Sequence, residues 1–515
     1  VTVAWPSEAV LGRLQRHNPH WRQADGACPA CVQQALLEQL LQQGDAALHT
    51  LLPLVWPVDP QAAFPAIPTP LRLHADPRFT GAGLTLAMVD GDFYPHLDLT
   101  APVNRIRAWV DASHEPVQAL FFGPDEQPRW PGWDAGDPAQ WHGLMTSAVA
   151  AGNGWLSQGL YRGLASAADV VLVKVRGEDG ISNAAIARAL QWLGGPGRAL
   201  GVRVVSLSVA GEPAWPNPVD ALVSALVAEG ISVVAAAGND GQRRLLPPAT
   251  APEAITVGGL DDHNTFSHAE LSAWHSSYGA SAAGALKPEL VAPSLWVAAP
   301  LVPGTPLALE AGALFAHRAA GTAGVEARLA ELKLVTAHYQ HVDGTSVAAP
   351  LVASAIVCML QANPAITPRL VRAMLLATAQ PVPGIAPEQQ GAGALAAGPA
   401  VALALRERHS ALAATSRGPE VSVAGVTFVL HDHRARRVAL YGSWDGWRAP
   451  SVATQIEPGA WRTVLPHLPP GHYAYKYLVN DTHWREDPDN LRTAADGHGG
   501  FNSLLTTDPR KAASA

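Results

Sequence analysis

Three polar side chains stand where apolar stretches end. Asp90 closes the run Leu84–Val89, His142 opens a helical pattern through His142-Gly143, and Ser346 opens another through Gly344-Thr345-Ser346-Val347-Ala348-Ala349-Pro350. A serine hydroxyl is a poor nucleophile until an imidazole takes its proton. The imidazole in turn needs a carboxylate to fix its tautomer and stabilise its cation. A helix N-terminus at Ser346 adds backbone N–H groups and a dipole that favour developing negative charge. Each residue alone has a plain structural use, as turn, surface or cap residue. The three in this order suggest acyl transfer.

Such groups need a scaffold of strand ends and helix starts. The apolar runs Leu84–Val89, Val170–Val175, Val202–Val209, Ile231–Ala237 and Ala254–Val257 alternate with helical patterns at His142–Ala151, Ser182–Leu193, Pro218–Glu229 and Ser346–Gln361. Continuous apolar strands between helices imply a parallel sheet covered on both faces, an α/β fold of three layers. Catalytic groups gather at the carboxyl ends of such strands.

These segments resemble the subtilase family of serine peptidases over residues 80–407. Gly344–Pro350 resembles the family's nucleophile motif. Leu86–Leu99 resembles the strand and turn around its aspartate, and Val204–Ala210 the strand lining its substrate cleft. Ala235–Gly241 resembles the segment carrying the oxyanion-hole asparagine, which falls on Asn239. Lys287–Pro293 and Gly391–Val401 resemble late framework segments. The resemblance implies a subtilisin-like domain, an Asp90–His142–Ser346 triad with Asn239 as oxyanion donor, and a protein or peptide substrate. It implies no cofactor for catalysis; family members often bind structural calcium, whose ligands do not map onto particular residues here. The sequence departs from the family at Gly91-Asp92, where a small hydroxyl residue usually steadies the aspartate and is followed by glycine. It departs again at Gly143-Leu144-Met145, where Gly-Thr-His is usual, and at Ala210, where glycine is preferred.

Residues 408–420 are small and polar and read as a linker. Residues 421–508 read as short strands between turns, at Val426–Leu430, Val438–Tyr441, Trp461–Val464 and His472–Val479. That pattern suggests an immunoglobulin-like β-sandwich, followed by a tail at 509–515. Tyr441–Trp447, Pro469–Tyr477, Trp484, Asp487-Pro488 and Gly499–Ser503 are rich in aromatic and amide groups. Aromatic faces stack on pyranose rings, and Lys and Asn hydrogen-bond to sugar hydroxyls. The segment resembles the glycogen- and starch-binding modules of the family-48 carbohydrate-binding type, also found on the β-subunit of AMP-activated kinase. By that resemblance Trp447, Lys476, Trp484 and Asn502 fall on glucan-contacting positions, and an α-glucan such as glycogen or starch is the expected partner.

Residues 1–79 read as a separate segment, helical over Cys31–Leu52 and Pro-rich after it, with Pro53, Pro57, Pro60, Pro65, Pro68 and Pro70. His17, His20, Cys28 and Cys31 are four nitrogen and sulfur ligands that could hold a tetrahedral zinc; the short His20–Cys28 spacing favours surface histidines beside an incidental CxxC. Three cysteines in 515 residues exclude a disulfide framework, and Cys358 reads as a buried small hydrophobe. A net charge of −8 argues against nucleic acid as a partner. No apolar run is expected to span a bilayer, and Val1–Val10 lacks the pattern of a signal peptide, which leaves either a processed secreted chain or a cytoplasmic one. The reading is a serine endopeptidase tethered to α-glucan. Its rival is a catalytically weak glucan-binding scaffold of the same fold. An amylolytic enzyme is excluded by the lack of an eightfold strand–helix repeat with paired carboxylates.

Overall fold

The computed structural model describes residues 66–507, apart from 135, 214–216, 265–270, 282, 416–418, 423–424, 433–434, 458, 467, 470, 488–489, 491–492 and 497–500. His17, His20, Cys28, Cys31 and the helix expected over Cys31–Leu52 lie outside the described residues. The chain forms two compact units that divide at Leu405.

In the larger unit the elements in chain order are β1 (Thr85–Asp90), β2 (Ile106–Asp111), β3 (Gln118–Phe121), α1 (Trp141–Ala151), β4 (Asp169–Lys174), α2 (Asn183–Gly194), β5 (Val202–Leu207), α3 (Pro218–Ala228), β6 (Ser232–Ala236), β7 (Ile255–Asp261), β8 (Leu290–Pro293), β9 (Val297–Pro300), α4 (Pro306–Ala319), α5 (Val325–Glu331), β10 (Tyr339–Val342), α6 (Thr345–Ala362) and α7 (Ala397–Thr415). The sheet runs β7-β6-β5-β1-β4-β2-β3, with β8 beside β7 and a short strand, Ser272–Ala273, at that edge. All its pairings are parallel except those of β3 and Ser272–Ala273.

Strand residues alternate between two helical layers. Ala87, Val89, Val171, Val173, Val205, Leu207, Val233 and Ala235 share one core with α2 and α3. On the other side α6 packs on α1 and runs across β5 to β8. A sheet covered twice needs strands apolar on both faces, which is why these four strands read as unbroken apolar runs.

α6 is apolar all round and almost wholly buried. It corrects one expectation: at 18 residues and a mean hydropathy of 1.7 it has the length and composition to cross a membrane. Its residues are spent on the core instead, with 89% of the span buried. Cys358, on this helix, is buried with its Sγ 3.5 Å from the Leu164 carbonyl, and burial pushes its thiol pKa up.

The Pro-rich connector ends inside this unit. Leu71 is fully buried, and buried Arg72 forms an ion pair with Asp262 at 2.9 Å. α7 continues to Thr415, so residues 408–415 of the segment read as a linker are helical.

In the smaller unit one sheet runs in the order Glu420–Ser422, β11 (Gly425–His431), Ala460–Leu465, Thr454–Glu457. The second sheet contains β12 (Val438–Gly442), β14 (Gly471–Val479), β17 (Phe501–Thr507) and β16 (Thr493–Ala495), with β15 (His483–Arg485) also on β14; Ala460–Leu465 is β13. Phe428, Leu430 and Trp461 of the first sheet share one core with Leu440, Tyr475, Tyr477 and Leu505 of the second. Two antiparallel sheets over one core make a β-sandwich.

Candidate active site and glucan face

Asp90 ends β1 and is 1% exposed. Its Oδ1 lies 2.6 Å from His142 Nδ1 and accepts from the Gly91 N–H at 2.6 Å. Its Oδ2 accepts from Thr146 Oγ1 at 2.8 Å. Thr146 is one helical turn beyond His142 on α1, so helix geometry sets the hydroxyl beside the imidazole. It supplies the hydroxyl that the Gly91-Asp92 departure takes away. The sequence reading missed this residue, although its i+4 spacing from His142 was a usable signal.

Gly143 explains how α1 comes this close. A Cβ there would meet the Asp92 carbonyl oxygen at 2.0 Å and the Phe93 ring at 2.8 Å. The Asp92 carboxyl is turned to Lys174 at 3.5 Å; burial raises its pKa, and Lys174 opposes this.

His142 feels opposing forces. Burial disfavours its cation, while the charge and hydrogen bond of Asp90 favour it, and Arg176 disfavours it again; the net shift is upward.

Ser346 sits in the first turn of α6, where its N–H has no intrahelical acceptor. Pro350 lacks the N–H that would bond the Ser346 carbonyl four residues back. Ser208 Oγ fills that place at 3.1 Å. Gly344, at φ +122°, turns the chain into the helix in a conformation open to glycine. Asn239 Oδ1 accepts from the Thr345 N–H at 3.0 Å and Thr345 Oγ1 at 2.7 Å. The amide is thereby oriented, and its Nδ2 hydrogens remain for another acceptor. The Gly238 N–H bonds Thr345 Oγ1 at 3.1 Å, which ties the segment after β6 to the start of α6.

The structure thus closes the Asp90–His142 link and the Asn239–Thr345 link. His142 to Ser346 is not among its hydrogen bonds; the packing of α1 on α6 brings the two helices together. Among the described residues no group of three or more His, Cys, Asp or Glu is placed to hold a metal ion.

In the sandwich, strand alternation sorts the expected glucan residues. Tyr475, Tyr477 and Val479 point into the core, so Lys476 points out. Trp484 lies opposite Leu478, and Tyr441 opposite Lys476. Asn502 neighbours core-facing Ser503, which pairs with Tyr475, so it too points out. Lys476, Trp484 and Asn502 therefore share the outer face. Trp484 is 54% exposed and meets Tyr441 edge-on at 5.0 Å. Tyr441, named above only as part of an aromatic segment, is a further residue of this face. Lys476 forms an ion pair with Asp496. Trp447 lies in the turn after β12, its N–H 3.0 Å from the Gly442 carbonyl.

A doubly wound sheet with this Asp–His pair at a strand end defines a subtilisin-like fold. Residues 81–393 match the sequence model of the subtilase family, and the chain belongs to that family. Residues 426–513 match the model described as the glycogen recognition site of AMP-activated protein kinase. The chain is similar to Serine protease AprX of Bacillus subtilis, with 28% identity over 58% of this chain and 61% of the relative. It is similar to an Extracellular protease of Xanthomonas campestris pv. campestris, with 27% identity over 75% of this chain and 64% of the relative. Subtilisin BL of Lederbergia lenta is 30% identical over 32% of this chain and 55% of its own length. The chain thus spans less than two thirds of the length of each of these relatives.

Proposed function

We propose that the chain is a serine endopeptidase held on an α-glucan by its C-terminal module. The observation that carries the first part is the 2.6 Å contact of His142 Nδ1 with buried Asp90, on a helix packed against the one whose first turn holds Ser346. In this reading His142 Nε2 takes the Ser346 Oγ proton as Oγ attacks the scissile carbonyl. Asn239 Nδ2 and the Ser346 N–H donate to the oxyanion. His142 then gives its proton to the leaving amine, and water, activated in the same way, releases the acyl group. A fluorophosphonate probe should form a covalent adduct on Ser346. A wild-type protein that stays unlabelled would favour the inactive scaffold.

Only the neutral imidazole can accept the serine proton. Because the net effect of its surroundings raises the His142 pKa, kcat/KM should fall on the acid side with a midpoint above the ordinary 6.5. A profile flat across roughly pH 5 to 8 would contradict a histidine base.

The second part rests on the outer face of the sandwich, with its exposed Trp484 beside Lys476 and Asn502. Trp447→Ala with Trp484→Ala should weaken retention on amylose by about 5- to 150-fold, taking each ring as worth about 0.5–1.5 kcal/mol of stacking. Tethering raises the local concentration of proteins on the same glucan, so their cleavage should fall more than that of free peptides. Retention equal to wild type would end the sugar-platform reading.

A further inference from the structure

β4 runs beside β1, with Lys174 opposite Asp90. Past the strand ends the two chains stay paired. The Val175 N–H bonds the Asp90 carbonyl at 2.9 Å, and the Arg176 N–H bonds the Gly91 carbonyl at 3.2 Å. Arg176 then opens a short hairpin, in which Arg176–Gly177 pairs with Gly180–Ile181. Backbone pairing on both sides fixes where the Arg176 side chain starts, one residue beyond the Asp90–His142 pair.

That side chain lies over Gly91. A Cβ at Gly91 would stand 3.4 Å from the Arg176 Nε and 3.8 Å from its Cβ. The residue is exposed. Its charge reaches His142, where it disfavours the imidazolium.

The carboxylates around it are engaged elsewhere. Asp90 serves His142, Gly91 and Thr146. Asp92 and Asp111 each face Lys174 Nζ at 3.5 Å, and Asp111 also accepts from the Ser113 N–H at 2.9 Å. Glu178 and Asp179, in the turn of the hairpin, are exposed and form no ion pair with Arg176. Among the described residues, no side chain answers the Arg176 guanidinium. That group carries five N–H donors in a flat fork that matches a carboxylate. An unanswered cation here also opposes the chemistry, because His142 must become a cation during attack. A carboxylate brought by the substrate would offset that repulsion where it matters.

We propose that Arg176 is a specificity-determining residue that binds the side-chain carboxylate of a substrate Glu or Asp close to the scissile bond. This rests on the peptidase reading of His142 and Ser346. An extended substrate advances about 3.3–3.6 Å per residue. A guanidinium anchored beside Gly91 therefore selects one position within about three residues of the cut, and not acidity at large.

The test is competitive digestion of peptides in which each position around the cut carries Glu or Gln in turn, at about pH 8, where glutamate is ionised. At one fixed position wild type should cut the Glu peptide about 5-fold faster than its Gln isostere, the upper end for an exposed ion pair. High salt should shrink this ratio. Arg176→Ala should bring it to about one, and Arg176→Glu should favour Lys over Gln at the same position. Each ratio compares two substrates in one preparation, so partial misfolding of a variant cancels. A wild type with no Glu preference at any position would overturn the assignment, as would a preference kept in Arg176→Ala. So would an Arg176→Ala variant that alters the rates of Glu and Gln peptides equally, since Arg176 would then act through His142 alone. A wild type that neither cuts peptides nor reacts with a fluorophosphonate probe would overturn the peptidase reading, and the role of Arg176 with it.

Discussion

Ser346→Ala is expected to lower casein and peptide hydrolysis by about 10⁶-fold while leaving the fold intact. The substitution removes one half-exposed hydroxyl from the first turn of α6. The bond from Ser208 to the residue-346 carbonyl and the Asn239–Thr345 pair do not involve that hydroxyl. Stability should therefore change by no more than about 0.5 kcal/mol. His142→Ala should cost about as much. The double variant should cost little more than either single one, because base and nucleophile act as one unit. A residual rate above that in water is expected from the oxyanion donors, which neither change removes. Mass-spectrometric comparison of digests by wild type and Ser346→Ala checks the prediction. Equal turnover by the two would sink the triad.

Much of this site was legible because its residues lie where sequence periodicity changes. Asp90 stands at the end of a strand buried on both faces, and His142 and Ser346 open helices, so apolar runs mark all three. The strands at the centre of the sheet were visible for the same reason. β3 was not, since three of its four residues are exposed at the sheet edge and carry no core pattern. β2 is broken by half-buried Arg107, which pairs across to Asp169. α4 and α5 were also missed. α4 buries only Ala311, so its helical face leaves little apolar stripe to read. In the sandwich, β15 is only three residues long and buries none of them. The i+4 spacing put Thr146 on the His142 face of α1, but that its hydroxyl reaches Asp90 depends on how α1 sits against the end of β1. Likewise the bond from Arg72 to the Trp296 carbonyl links residues 224 apart, beyond any local pattern.

Replacing Asp90 should separate charge from orientation. In Asp90→Ala both are lost, and kcat should fall by about 10⁴-fold. Asp90→Asn should be milder. The Gly91 N–H and His142 Nδ1 both face Oδ1, at 2.6 Å each, so the amide oxygen belongs at that position. The amide NH₂ then faces Thr146, whose hydroxyl can accept a hydrogen bond. His142 would keep its tautomer and lose only the carboxylate charge that stabilises its cation. That charge and its hydrogen bond are what raise the His142 pKa, while burial and Arg176 lower it. In Asp90→Asn the acid limb of the pH–rate profile should therefore move down, below the wild-type midpoint. The rate at its plateau should stay reduced, because imidazolium formed during attack is no longer offset. Alanine should show the same shift with the larger loss. Measured kcat and kcat/KM across pH for the three proteins decide the matter. If Asp90→Asn matched wild type in rate and in acid limb, Asp90 would be a buried structural carboxylate, and the base would have to be oriented by something else.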